Sequence, residues 1–102
     1  MRPYNPVMGK LGYDAAASFE IEDRVLAHLR VVAMNKLRRG ESFMVQISNA
    51  TGGRTWILLS PSMPLWFQFY GSRGPHLDTE LLETMMRAAS GPDGLNLAAM
   101  NL

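Results

Sequence analysis

The chain has 102 residues, 47% of them hydrophobic and 19% charged, with no cysteine and a formal net charge of +1. Such a chain suits one domain with one core. It excludes a disulfide scaffold, a thiol nucleophile, a thiolate metal site and a strong overall basic charge for nucleic acid. No apolar run approaches the roughly 18 residues of a membrane span. The first residues lack the apolar stretch of a secretory signal, so a cytoplasmic protein is expected.

Residues 1–7 contain Pro3 and Pro6 without a periodic pattern, and read as a loose arm before a single α+β domain over 8–102. A strand signal runs from Val7 to Tyr13, interrupted by Gly9 and Gly12, and alternation resumes at Ala17, Phe19 and Ile21. The two segments can pair as a hairpin across Asp14 and Ala15. A helix follows from Asp23 to Arg39, capped by Glu22 or Asp23 and ended by Gly40. Helical rotation puts Val25, Leu26, Leu29, Val32, Ala33 and Leu37 on one face, with Arg24, His28, Asn35, Arg38 and Arg39 opposite. Lys36 falls within the apolar face and is expected to snorkel past its edge.

Three strands come next. Phe43, Val45 and Ile47 alternate with Met44, Gln46 and Ser48, and a turn follows at Thr51, Gly52 and Gly53, helped by Asn49. Thr55, Ile57 and Leu59 alternate with Trp56 and Leu58. After the connection Ser60 to Pro64, Leu65, Phe67 and Phe69 alternate with Trp66, Gln68 and Tyr70. Short links between successive strands predict an antiparallel meander. A loop at Gly71 to Pro75 leads to a second helix with Asp78 as N-cap, a Leu77/Leu82 staple, and Gly91 and Pro92 at its end. Leu95 and Leu97 suggest a last short strand. The fold class is therefore α+β, an antiparallel sheet of three to five strands packed by two amphipathic helices.

Several runs carry a family resemblance: Met8-Gly9-Lys10-Leu11 with Tyr13, Asp23 to Leu29, Lys36 to Phe43, Ser60 to Leu65, Phe67 and Phe69, and Gly71-Ser72-Arg73. The chain resembles a group of small uncharacterised proteins common in actinobacteria and their phages, over most of its length from Met8 to about Leu97. Members usually carry histidine where this chain has Ser60, and a tryptophan in the second helix that is missing around Leu81 and Leu82. Some members are labelled ATP-dependent DNA ligase. The residues do not support that label, because Lys10 and Lys36 are followed by Leu-Gly and Leu-Arg rather than by the x-Asp-Gly of a nucleotidyl-lysine site.

Catalysis needs groups within hydrogen-bonding reach of one another. His28 and His76 are the only histidines. His28 has no carboxylate one turn away and reads as a surface residue, and His76 as a loop residue before a capped helix. Glu20, Glu22 and Asp23 suit a helix start. Ser60 and Ser62 are not in a nucleophile elbow, and the glycines lack the Lys-Ser/Thr context of a phosphate loop. The expectation is no enzyme, no catalytic residue, no metal ligand, no cofactor and no small-molecule substrate.

Two features point to binding. Met44, Trp56, Leu58, Trp66 and Tyr70 share the strand face opposite the core and form either a protein-interaction surface or an inner face covered by the second helix or the N-terminal segment. Arg24, Arg30, Arg38 and Arg39 line a basic helix suited to phosphate backbone or an acidic partner. A protein-interaction or assembly module, an accessory subunit or self-associating protein, is the first reading, and a nucleic-acid-associated protein the alternative. No membrane partner is expected.

Overall fold

Alternating side chains build the first hairpin. β1 (Met8–Tyr13) and β2 (Ala17–Glu22) pair antiparallel, with Leu11 opposite Phe19 and Gly9 opposite Ile21. Asp14 makes the turn at φ 59°, a left-handed conformation that aspartate tolerates. The computed structural model describes residues 7–15, 17–48, 52–71 and 76–97. The expected arm lies outside these residues except for Val7, whose carbonyl accepts from the Asp23 N–H at 2.7 Å. Asn49, Thr51 and the loop residues 72–75 also lie outside them.

The chain passes directly from β2 into α1 (Asp23–Arg38). Its end is closed by Gly40 N–H to the Leu37 carbonyl and Glu41 N–H to the Lys36 carbonyl, both at 3.0 Å. β3 (Phe43–Ser48) and β4 (Arg54–Leu59) form the second antiparallel hairpin. α2 (Thr79–Ser90) starts at Asp78, whose side chain accepts from the Glu80 and Leu81 N–H groups, so the cap read from sequence is present.

The expected meander does not form. β5 (Leu65–Gln68) pairs with β1, not with β4, giving one sheet ordered β2-β1-β5. The other sheet is ordered β4-β3-β6, where β6 (Leu95–Asn96) lies parallel to β3. The connection explains the departure. It turns at Ser60, where the carbonyl accepts from Met63 N–H at 3.0 Å, and the Pro64 carbonyl then accepts from Asp14 N–H at 3.0 Å. That bond sets the chain down beside the open edge of β1. The fold is α+β with two three-stranded sheets, one antiparallel and one mixed.

α1 packs on β1 and β2, α2 packs on β3 and β6, and the helices pack on each other. Leu11, Leu26, Leu29, Val32, Val45, Leu59, Met85 and Leu95 are fully buried between these layers. Each contributes about 1.5–3 kcal/mol by leaving water. Among the described residues no helix is long and apolar enough to cross a membrane.

Candidate functional site

With the helices on the inner faces, the outer face of each sheet is covered by no described element. On the mixed sheet, Met44 stands opposite Leu58 and Gln46 opposite Trp56. Met44 is 38% exposed, Leu58 44% and Trp56 46%, whereas Gln46, flanked by Trp56 and Asn96 in the register, is buried. On the antiparallel sheet, Trp66 is 45% exposed and Tyr70, just past β5, is 55% exposed. Trp66 is opposite Gly12, and its indole lies across that residue so closely that a Cβ at position 12 would run into the ring. Gly12 is there because only hydrogen leaves room for the indole.

All five expected contact residues are therefore at the surface, but they divide between two sheets. One sheet face was expected to carry them all. The division follows from β5 joining β1. The sheets meet where the Tyr13 hydroxyl donates to the Leu58 carbonyl at 3.0 Å.

The arginines do not converge. Arg24 lies 3.6 Å from the Asp78 carboxylate and Arg39 lies 3.6 Å from Glu41. Arg30 approaches the Met34 sulfur. Arg38 is exposed and has no ion pair with a described residue; it borders a shallow groove of about 390 Å³ formed with Met34, Leu37, Pro61, Met63 and Phe67. Arg24 and Arg38 are 14 residue steps apart, about 21 Å along the helix.

His28 is a correction. It was expected on the solvent side of α1, yet it is fully buried. Its Nε2 accepts from the Asp78 N–H at 2.8 Å, which puts the ring proton on Nδ1, and Nδ1 donates to the Arg24 carbonyl at 2.6 Å. The start of α2 lies over this flank of α1, and no single-helix projection shows a second helix. Lys36 is a second correction. The residue is only 6% exposed, and its ammonium donates to Glu41 Oε1 at 3.2 Å and to Ser90 Oγ at the end of α2. Beside it is a cleft of about 660 Å³ lined by Glu41, Met44, Leu58, Ser90 and Gly94.

The side-chain cap expected of Glu22 or Asp23 is absent at the Glu22 N-cap of α1, and the first helical residue is Asp23. It is buried, and its Oδ2 accepts from the Gly71 N–H at 3.1 Å. His76 is exposed ahead of the α2 cap, and Ser60 and Ser62 bond each other in their turn. Among the described residues, no three His, Asp or Glu side chains converge as metal ligands.

A family model described as a domain of unknown function, DUF7882, matches residues 8–100. The chain belongs to that family. No curated protein and no solved structure matches the chain.

Proposed function

We propose that this member of the DUF7882 family is a non-enzymatic protein-interaction module, an accessory subunit that binds through the bare outer faces of its sheets. One observation carries the reading: Met44, Trp56, Leu58, Trp66 and Tyr70 remain 38–55% exposed after both helices have packed. Half-exposed tryptophans in a small domain give a partner large rigid anchors, and such anchors dominate interface energy. The basic helix supports a phosphate-backbone role less well. Two of its four named arginines are already paired with carboxylates, and the net charge is only +1.

The test is capture of the tagged protein from its native cells, with and without nuclease, beside a Trp66→Lys/Leu58→Lys variant that alters one residue on each sheet. A protein partner at fixed stoichiometry should survive nuclease and be lost with the variant, whose circular dichroism and melting stay unchanged. Partners that vanish with nuclease, or that bind the variant equally well, overturn the reading.

A further inference from the structure

Three of the four sheet edges are closed to other chains by charge or by brevity. β2 carries Glu20 and Glu22, β5 is four residues long and β6 only two. Charge and brevity are what keep an edge strand from pairing with another chain. β4 has six residues, no proline and no carboxylate, and after Arg54 it reads Thr55, Trp56, Ile57, Leu58, Leu59. It is also the outer strand of its sheet, next to β3 alone.

Two observations establish which backbone groups of β4 face outward. The Leu58 carbonyl is met from the open side by the Tyr13 hydroxyl at 3.0 Å. On β3, the Met44 carbonyl points toward Gly94, where a Cβ would lie 2.8 Å from it, and so toward β6 rather than β4. In an antiparallel ladder both backbone groups of a residue point the same way, and the direction alternates along the strand. Met44 is opposite Leu58 in the register. Leu58, Trp56 and Arg54 therefore turn their N–H and C=O groups outward, while Leu59, Ile57 and Thr55 bond to β3. No described backbone group pairs with Trp56 or Arg54 on the open side.

We propose that β4 is the seam of a two-fold dimer, pairing antiparallel with β4 of a second copy so that Trp56 faces Trp56. This names the partner within the protein-interaction reading and rests on it. The outward backbone groups about Trp56 are self-complementary in this register. Arg54 faces Leu58 of the second copy, and every outward N–H meets an outward C=O. The Leu58 carbonyl has a second lone pair beside its bond to Tyr13. The strand's one charge is not set against itself, because the two Arg54 residues are about 13 Å apart along the seam. The Trp56 rings stand side by side on the outer face, and the two sheets become one of six strands. A seam this short belongs to the small class of interfaces, and the dimer is a weak, reversible one.

The experiment is sedimentation equilibrium of the full chain from about 1 µM to about 500 µM, a range in which a weak, reversible dimer forms and dissociates. The comparison variant is Arg54→Pro. It removes one outward N–H, leaves the bonds to β3 and keeps Trp56, Leu58 and Met44 on the surface; proline is tolerated on edge strands and at strand starts. A reversible dimer weakened about tenfold or more by Arg54→Pro is expected. Amide exchange of the unaltered chain gives a second readout independent of the variant's folding: protection at Trp56 should rise with concentration. A chain that stays monomeric, a dimer unaffected by Arg54→Pro, or Trp56 exchange that ignores concentration overturns the inference. A monomer that still captures a partner through the residues altered in Trp66→Lys/Leu58→Lys removes the dimer alone and leaves the protein-interaction reading standing.

Discussion

His28 shows how one side chain joins two helices. Both ring nitrogens are occupied by backbone groups of different elements, Arg24 on α1 and Asp78 at the start of α2. Alanine at this position leaves a buried cavity and strips the Asp78 N–H of its acceptor. His28→Ala should cost about 2–4 kcal/mol in urea unfolding. His76→Ala, at the surface, should stay within about 0.5 kcal/mol. Equal effects of the two substitutions would contradict the burial of His28. Gly12 makes the same point from the other side. Its meaning in sequence was an interruption of a strand; its meaning in the fold is the space that Trp66 fills.

Capping decides where α2 begins. Asp78 Oδ1 accepts from the Glu80 N–H at 3.0 Å and the Leu81 N–H at 3.3 Å. Asp78→Ala should cost about 1 kcal/mol, and Asp78→Asn, which keeps an acceptor, much less. The Arg24 contact adds little to this difference, since both partners are about 40% exposed and an exposed pair contributes under about 1 kcal/mol. Chemical denaturation of the two variants separates the cap from the charge. A cap is a short-range pattern, and so Asp78, Gly91 and both hairpins were legible in the sequence. The partner of β5 was not. Its apolar alternation suits the edge of either hairpin, and the choice is made by where the turn at Ser60 and the Asp14–Pro64 bond deliver the chain.

Across the whole molecule, polar contacts among the described residues tie the layers together, including Tyr13 to Leu58 between the sheets, His28 to Asp78 between the helices, and Lys36 to Ser90 at the far end of the same helix pair. A buried ammonium is costly to desolvate, and its partners repay that cost only when all are present. Lys36→Met should therefore leave stability within about 1 kcal/mol of the parent or raise it. Ser90→Ala, which keeps the charge and removes an acceptor, should lower it by about 1–3 kcal/mol. A large loss with Lys36→Met beside a neutral Ser90→Ala would mean that the ammonium contributes through its charge rather than through these bonds.

The α+β class, both helices and all six strands, the last at Leu95, could be read from alternation, helical periodicity and caps, because these signals act over a few neighbouring residues. The candidate surface was legible in part: the outward set Met44, Trp56, Leu58, Trp66 and Tyr70 follows from strand parity, which is local. Contacts far apart in sequence settled the rest. They placed β5 on β1 and β6 beside β3, divided the outward set between two sheets, and drew His28 and Lys36 inside. Burial of a polar group depends on what another element lays over it, and pairing depends on which open edge a connection can reach.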